Sequence, residues 1–208
     1  FLVFNSINGE FLAKIHSNNK KLISVEVIKK IRDSEEQTDL WVLFALVKKT
    51  PTEYIIQKAT ELGASKIVPL ITERTVNKNL NLKRFQDIAI EASEQCERIT
   101  IPEIFPLQKL YDVIDDWTEK TTIYFGDETM RHYKQSSKNS NKLTNASCGA
   151  VLVGPEGGFT KKEISYLKQK KFVIPINFGP RILKSDTAVV TALVFWHTLN
   201  GDMKNSFY

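Results

Sequence analysis

The sequence is poor in the residues that build disulfide frameworks, metal centres and membrane spans. It contains two cysteines, Cys96 and Cys148, and three scattered histidines among 208 residues. Two cysteines cannot form a disulfide framework, and they have no neighbours that suggest a metal site. No apolar run approaches the roughly 18 residues that a membrane-spanning helix needs. We therefore expect no metal, no membrane insertion and a reducing, cytoplasmic location.

Charge and composition are those of a folded, mildly basic protein. The chain has 29 Lys and Arg against 24 Asp and Glu, a formal charge of +5, and 42% of its residues are hydrophobic. This balance excludes a disordered chain and weakly favours a polyanionic partner. At roughly 150 residues per domain, the length predicts one main domain with a smaller appendage.

The first part of the chain has the pattern of short antiparallel strands. Apolar runs at 1–4, 11–15 and 22–28 are separated by Asn-Gly at 8–9 and Asn-Asn at 18–19. Asn-Gly between apolar runs is a strong signal for a β-hairpin. Residues 29–40 are charged and have few apolar anchors, which is typical of a linker. We therefore predict a β-rich domain over residues 1–38 and a second domain over residues 39–208.

Beyond the linker, strand and helix patterns alternate. Thr50-Pro51-Thr52-Glu53 has the form of a helix start with a capping box, and Thr160 with Glu163 has the same form. Alternation of this kind is typical of an α/β fold, a mostly parallel sheet with helices on both faces. The predicted strands are 41–46, 66–71, 122–125, 150–153 and 172–178. Besides the two helices that begin at these capping boxes, helices are predicted at 82–96, 107–117 and 188–199. Residues 130–148 are predicted to form a polar loop.

Two loops follow predicted strands and are candidates for a ligand site. They are Gly-Pro-Glu-Gly-Gly-Phe at 154–159 and Phe-Gly-Pro-Arg-Ile-Leu-Lys-Ser-Asp-Thr-Ala at 178–188. Ligands of parallel sheets bind outside the carboxyl ends of the strands, where glycines let the backbone approach closely. Neither loop has the Walker or Gly-x-Gly-x-x-Gly pattern. Taken singly, each loop is equally consistent with an ordinary tight turn.

Taken together, the two loops resemble the RsmE family of SPOUT-class methyltransferases, which methylate N3 of a uridine in small-subunit ribosomal RNA. The resemblance extends to residues 57–63, 67–70, 73–74 and 90–98, and it covers 41–200 nearly end to end. The β-rich start resembles the later part of that family's PUA-like RNA-binding domain, without its first strands. Three departures from the family pattern are Phe178 before Gly179, Lys-Ser-Asp at 184–186, and Glu97 in place of a small residue.

The resemblance implies a fold, a cofactor and partners. It implies a SPOUT-type α/β domain with a C-terminal trefoil knot, bound S-adenosylmethionine, small-subunit rRNA or the assembled small subunit as partner, and a homodimer with each site near the interface. Carried over by position, the cofactor-binding residues are Leu152, Gly154, Glu156, Gly157, Gly158, Phe178, Gly179, Ile182, Leu183 and Thr187. Phe125 and Gly126 end another predicted strand and are expected to complete the cofactor pocket.

Catalytic and RNA-binding roles are hypotheses from the chemistry. Methylation at N3 needs loss of the N3 proton, so Arg98 and Arg181 are predicted to contact the flipped uracil or its phosphate, and Glu91, Glu94 or Glu156 to accept the proton. The alternative for Glu94 and Arg98 is an ordinary i, i+4 surface pair. The candidates for RNA binding, which are otherwise solvated surface residues, are Arg74, Asn77, Lys78, Arg84 and Lys184.

Other functions remain open at this point. One is a SPOUT methyltransferase that acts on another RNA position, such as a ribose 2′-hydroxyl. Another is a non-catalytic RNA-binding assembly factor, which would have no affinity for S-adenosylmethionine. A nucleotide-binding domain of Rossmann type is disfavoured because its glycine fingerprint is missing.

Overall fold

The computed structural model describes residues 1–19, 22–117, 121–130 and 148–204. A three-stranded antiparallel sheet precedes a seven-stranded parallel sheet with helices. The strands are β1 Leu2–Asn5, β2 Gly9–Asn19, β3 Leu22–Arg32, β4 Asp39–Ala45, β5 Lys66–Ile71, β6 Glu103–Ile104, β7 Gln108–Lys109, β8 Ile123–Gly126, β9 Cys148–Val153 and β10 Val173–Ile176. The helices are α1 Lys49–Glu61, α2 Leu82–Gln95, α3 Leu110–Asp115, α4 Lys161–Gln169 and α5 Ser185–Asn200, and a short 3₁₀ turn spans Glu128–Met130.

The antiparallel sheet has the order β1-β2-β3. The predicted hairpin is confirmed: the Asn5 side chain accepts hydrogen bonds from the amides of Ile7 and Asn8, at 3.0 and 2.7 Å, and Gly9 has φ +94°. The linker predicted at 29–40 is wrong in its first part, because β3 continues to Arg32. The charged residues there pair across the strands instead, as Arg32 does with Glu10 at 3.0 Å. The domain boundary near residue 38 stays a prediction.

The parallel sheet has the order β10-β8-β9-β4-β5-β6, and β7 also pairs with β5. Pro69 lies in β5 and cannot donate to a ladder, which predicts an irregular or edge position. In the structure, β5 pairs with β6 at Lys66 and Ile67 and with β7 at Leu70 and Ile71. Pro69 therefore lies at the break between these two short partners.

Both faces of the parallel sheet are buried, as its continuous apolar strands predict. Phe44 of β4 and Val151 of β9 belong to the core beneath α1, α2 and α5, whereas Leu43 and Leu152 belong to the core beneath α3 and α4. This alternation follows from the two-residue repeat of a strand. The antiparallel and parallel sheets confirm the predicted α/β class with a β-rich start.

Three of the predicted helix boundaries are wrong, and one of them is the start of α5, which is Ser185 and not Ala188. The first residue of α1 is Lys49, and Lys48 precedes it as a cap without a side-chain hydrogen bond, so Thr50 is not the cap. The helix predicted at 107–117 is shorter, because residues 108–109 form β7. By contrast, the capping box of α4 is confirmed, with hydrogen bonds in both directions between Thr160 and Glu163.

The strands and helices do not test the predicted polar loop or the predicted knot. Most of the polar loop predicted at 130–148 lies outside the described residues. The predicted threading of the chain into a knot stays a prediction. No helix within the described ranges is both long and apolar enough to cross a bilayer, and the same residues contain no group of three or more His, Cys, Asp or Glu that could hold a metal ion.

Candidate functional site

A cavity lies at the carboxyl ends of β8, β9 and β10. It encloses about 640 Å³ including its open mouth. Arg181, predicted to be catalytic, is part of its lining. Eight of the twelve predicted cofactor-binding residues also line it: Phe125, Gly126, Gly154, Gly158, Phe178, Gly179, Ile182 and Leu183.

Hydrogen bonds hold three strand ends around this cavity. Ser185, the first residue of α5, donates its hydroxyl to the carbonyl of Gly154 at 2.9 Å, which joins the two glycine-containing loops. Asn177 accepts from the amide of Gly179 at 2.9 Å and donates to the carbonyl of Met130 at 2.9 Å. The loops after β8, β9 and β10 are therefore parts of one wall.

Two glycines are needed for the shape of the cavity. Gly158 has φ +67°, a conformation that favours glycine, and a β-carbon there would collide with the Glu128 carboxylate. At Gly126, a β-carbon would lie 2.8 Å from the ring of Phe178. A larger residue at position 126 would displace the Phe178 ring, whereas at position 158 the Glu128 side chain could move aside and the positive φ is what favours glycine.

Two carboxylates that were not predicted from the sequence, those of Asp127 and Glu128, line the cavity. Asp127 is buried, and its carboxylate contacts Lys168 at 2.6 Å and accepts from the backbone amide of Thr129 at 3.0 Å. Glu128 is exposed, and its carboxylate has no cationic partner among the described residues. Both follow the carboxyl end of β8 directly, which is the signal in the sequence that would have found them.

The rest of the lining was also missed and is mostly apolar. Phe159 packs edge-to-face on Phe125, with 5.2 Å between the ring centroids. Further lining residues are Val153, Pro155, Ile164, Ile176, Asn177, Ser185 and Ala188.

Four of the predicted cofactor-binding residues do not line the cavity. Leu152 is fully buried in β9. The carbonyl of Gly157 accepts a hydrogen bond from Arg74 at 2.6 Å, and the Glu156 carboxylate accepts one from the amide of Lys48 at 3.4 Å. Thr187 is exposed in the first turn of α5. Glu156 and Gly157 thus lie on the outer side of the loop whose other residues form the cavity wall.

Arg98 is not brought to the cavity. Its guanidinium donates to the carbonyls of Thr60 and Ala64, the latter at 3.1 Å, and to the Thr100 hydroxyl. These groups lie between α1 and β5, at the amino end of the sheet, whereas the cavity lies at the carboxyl end. Burial lowers the pKa of Arg98 from its ordinary value. Its placement is that of a residue that joins the end of α1 to the loop after α2.

The predicted pair of Glu94 with Arg98 is not formed. Glu94 is exposed on α2, and within the described part of the chain its carboxylate has no ion-pair partner. The structure therefore supports neither the catalytic hypothesis for Glu94 nor the alternative of an i, i+4 salt bridge.

The predicted RNA-binding residues lie at several places. Arg74 is bound to Gly157, as noted above, and Asn77 donates to the carbonyl of Val47 at 3.2 Å. Arg84 lies 3.5 Å from Glu53 and 4.0 Å from Glu91. Lys78 is exposed, and Lys184 is exposed immediately before α5.

Comparisons with known proteins identify the family. Residues 34–197 match the family described as RNA methyltransferase domain. The chain is 33% identical over 193 residues to the ribosomal RNA small subunit methyltransferase E of Rickettsia conorii, covering 92% of this chain and 77% of the relative. The chain belongs to the RsmE family. The RsmE protein of Bacillus subtilis is 30% identical to it, with 88% of this chain and 75% of that protein covered.

Solved structures show the same fold. The putative methyltransferase Lpg2936 of Legionella pneumophila, in complex with S-adenosylmethionine, is 29% identical and superposes with a TM-score of 0.82, covering 97% of this chain and 83% of that one. The RsmE structure from Neisseria gonorrhoeae has a TM-score of 0.81 at 23% identity, over 96% of this chain and 82% of that one, and supports the fold. The methyltransferase fold inferred from the two loops is thereby confirmed, and its SPOUT class stays a prediction.

Proposed function

We propose that this RsmE protein transfers a methyl group from S-adenosylmethionine to N3 of one uridine in small-subunit ribosomal RNA. As a member of the RsmE family it is an S-adenosylmethionine-dependent rRNA methyltransferase. The uridine and its N3 atom are the finer part of the proposal. The observation that supports it is the meeting of the loops at 154–159 and 178–188 in one cavity.

The cavity fits S-adenosylmethionine in its chemistry. When bound, this cofactor supplies an electrophilic methyl group on a positively charged sulfonium. The side chains of Phe178, Ile182 and Leu183 offer an apolar wall for an adenine ring, and the glycines at 154 and 158 let backbone groups come close. The cavity thus has both the apolar surface and the polar backbone that a nucleoside needs.

The charges of the cavity also fit the cofactor. Asp127 is neutralised by Lys168, whereas the charge of Glu128 is uncompensated among the described residues. We assign Glu128 to the positive groups of the cofactor, because an unpaired carboxylate favours a cation.

The protein must also make the uracil reactive. Neutral uracil is a weak nucleophile at N3 until its proton leaves, so a proton acceptor and a cationic donor are needed. Arg181 is exposed on the cavity lining and would stabilise the uracil anion. Glu156, on the adjacent loop, would take the proton. Glu156 lies within the loop 154–159, although it does not line the cavity, whereas Arg98, Glu91 and Glu94 lie on none of the loops that form the cavity and are not part of this proposal.

We also propose that the protein forms a homodimer and that its C-terminal region is knotted. We propose that it acts in the cytoplasm on the small ribosomal subunit or its rRNA. Helices α1 and α5 pack together and expose Tyr54 and Val194. Such exposed apolar side chains on adjacent helices support a surface that a second copy would cover.

The test is methyl transfer from labelled S-adenosylmethionine to small-subunit rRNA taken from cells that lack the gene. Mass mapping of the product should find the label on N3 of a single uridine. Label on a ribose 2′-hydroxyl would contradict the N3 assignment. If calorimetry detects no affinity for S-adenosylhomocysteine, the protein is instead a non-catalytic assembly factor.

A matched variant tests the proton acceptor. Glu156→Gln keeps the shape of the side chain and removes its charge, so kcat should fall about a hundredfold. The affinity for S-adenosylhomocysteine should change less than twofold, because Glu156 does not line the cavity. An unchanged kcat would exclude Glu156 as the base.

A further inference from the structure

A second cavity lies between α1, α2 and the loop at 77–81, at the carboxyl end of β4. It encloses about 940 Å³ including its open mouth, and we call it the asparagine cavity because Asn77, Asn79 and Asn81 all line it. Leu80 and Phe85 are among its apolar lining residues. It therefore combines an apolar surface with several carboxamides.

Two of the carboxamides are available to a ligand. The oxygen of Asn81 accepts from the amide of Arg84 at 3.0 Å, which leaves its NH₂ group without a partner among the described residues. The carboxamide of Asn79 is exposed and makes no hydrogen bond within the described ranges. A carboxamide both donates and accepts, as the edge of an unpaired nucleobase does.

The cavity also has an excess of positive charge. Lys49 and Arg84 line it beside one lining carboxylate, Glu53, at 4.0 and 3.5 Å, and Arg84 also lies 4.0 Å from Glu91, which is outside the lining. Ion pairs of this length contribute little when the cations are exposed, as Lys49 and Arg84 are. Two cations beside a single acid in the lining leave net positive charge for a phosphate.

The asparagine cavity adjoins the proposed cofactor cavity. Pro155 and Gly158 line the cofactor cavity, while Glu156 between them bonds the amide of Lys48, next to the Lys49 that lines the asparagine cavity. The five-residue loop 154–158 thus lies between the two. A chain that presents one nucleotide beside the methyl donor would pass this loop.

We propose that the asparagine cavity binds an unpaired RNA nucleotide that flanks the methylated one. Its base lies against Leu80 and Phe85, the carboxamides of Asn79 and Asn81 contact its edge, and Lys49 and Arg84 contact its phosphate. This assignment rests on the proposed rRNA methyltransferase function. It goes beyond the predicted phosphate contacts of Arg84, because it gives the enzyme a pocket that selects a neighbouring base.

The experiment compares two cavity variants with a matched control. Arg84→Gln removes a cation that lines the cavity, and Asn79→Trp fills the cavity from an exposed position. Lys83→Gln removes a cation one residue earlier on α2, outside the cavity, where Lys83 pairs with Asp87 at 2.8 Å. Each variant is assayed for kcat and KM with small-subunit rRNA, and for S-adenosylhomocysteine affinity by calorimetry.

Both cavity variants should raise the KM for rRNA about tenfold, as loss of one base or phosphate contact does. They should leave kcat and the S-adenosylhomocysteine affinity within a factor of two, and Lys83→Gln should change KM less than twofold. Arg84→Gln should also reduce the slope of log affinity against log salt by about one, as expected for one lost phosphate contact.

Two results would overturn the proposal. One is an unchanged KM in both cavity variants of an active enzyme. The other is an equal effect of Lys83→Gln and Arg84→Gln, which would indicate a phosphate track along α2. If the unaltered protein transfers no methyl group, the proposed function fails, and binding of a fluorescent rRNA fragment then tests the cavity with the same three variants. If Asn79→Trp lowers the melting temperature, the KM of Arg84→Gln alone tests the proposal.

Discussion

Glu128 carries an uncompensated charge at the wall of the cofactor cavity. Glu128→Gln keeps the size of the side chain but removes the charge. We expect the Kd for S-adenosylmethionine to rise about tenfold, which corresponds to roughly 1.4 kcal/mol and is typical of one lost charged contact. Calorimetric titration measures this change.

Two other ligands serve as controls for Glu128. S-adenosylhomocysteine lacks the sulfonium charge but keeps the ammonium, and methylthioadenosine lacks both. If Glu128→Gln weakens binding of S-adenosylmethionine and S-adenosylhomocysteine equally, Glu128 contacts the ammonium. If it weakens binding of S-adenosylmethionine alone, Glu128 contacts the sulfonium. An equal loss for methylthioadenosine would show that Glu128 acts through the shape of the cavity.

Glu97 has a backbone conformation that favours glycine. Its φ is +57°, and its carbonyl accepts a hydrogen bond from Arg32 at 2.6 Å. Glu97→Gly keeps this bond and removes the left-handed strain of about 1 kcal/mol, but it adds freedom to the unfolded chain. We expect the free energy of unfolding in urea to rise by about 0.5 kcal/mol.

A glycine substitution at the nearby Glu94 should change the free energy of unfolding in the opposite direction. Glu94 has a helical backbone in α2, so Glu94→Gly should lower the free energy of unfolding by about 1 kcal/mol. If both variants destabilise equally, the left-handed conformation of Glu97 does not determine the effect. This position also gives a physical reason for the small residue that the family pattern has there.

At the scale of elements, the start of α4 is joined to the loop after β5 by one buried side chain. The Glu163 carboxylate accepts from the amides of Thr160 and Glu73, each at 2.8 Å, and Glu163 is fully buried. Glu163→Ala leaves two amides without a partner, so we expect it to cost about 2–4 kcal/mol of unfolding free energy.

Thr160→Ala is the matched control for this cap. It removes only the bond from the Thr160 hydroxyl to the amide of Glu163, at 3.2 Å, and should cost about 1 kcal/mol. Urea unfolding of both variants measures the difference. Equal losses would mean that the two bonds of the Glu163 carboxylate together contribute no more than the single bond of the Thr160 hydroxyl.

Arg98 connects α1 to the loop after α2. Arg98→Ala breaks its hydrogen bonds to two carbonyls and to the Thr100 hydroxyl, so we expect a loss of about 2–3 kcal/mol in unfolding free energy. Because Arg98 does not line the cofactor cavity, the kcat per folded molecule should change less than threefold. Activity assays well below the melting temperature, normalised to folded protein, measure this.

A large loss of kcat in a fully folded Arg98→Ala protein would restore the catalytic hypothesis. Arg98→Lys gives a second test of the structural role. A lysine cannot make the forked contacts of a guanidinium, so it should recover only part of the stability.

At the scale of the whole molecule, Tyr111 joins α3, α4 and the loop after β5. Its hydroxyl donates to Glu73 at 3.0 Å, and its ring packs on Tyr166 of α4 with 4.8 Å between centroids. Burial and the hydrogen bond to Glu73 raise the pKa of Tyr111 to about 12. The folded protein therefore holds this proton more tightly than the unfolded chain, where the pKa is about 10.

The raised pKa of Tyr111 predicts a loss of stability at alkaline pH. The stability that comes from holding the Tyr111 proton in the folded protein is fully present below about pH 10. It is lost as the pH rises towards 12, because Tyr111 ionises at a lower pH in the unfolded chain. Between pH 9 and 11.5, the unfolding free energy should fall more steeply for the unaltered protein than for Tyr111→Phe. Urea unfolding at several pH values measures both slopes.

Absorbance at 295 nm gives an independent measurement. The difference between the titration curves of the unaltered protein and of Tyr111→Phe should have its midpoint above pH 11. A midpoint near pH 10 would show that Tyr111 is not held by Glu73 in solution.

Local patterns predicted the fold class and much of the candidate site. The alternation of apolar strands with helices required a buried parallel sheet, and the loops at 154–159 and 178–188 each lie in one contiguous stretch. Of the cofactor-binding residues predicted from these two loops, six line the cavity. The capping box of Thr160 and Glu163 was equally predictable, because its hydrogen bonds span three residues. Thr50 shows the limit of such patterns, since α1 begins one residue earlier.

By itself, the sequence determined the class of fold and the two loops, because those depend on short-range periodicity and on glycines within a few residues, and the resemblance of the two loops to RsmE proteins indicated the family. Only the tertiary structure decided that Glu128 lies on the cavity wall, that Arg98 serves the opposite end of the sheet, and that the asparagine cavity adjoins the loop at 154–158. The physical reason is the strand order β10-β8-β9-β4. It sets which strand ends are neighbours, through pairings between residues far apart in the chain.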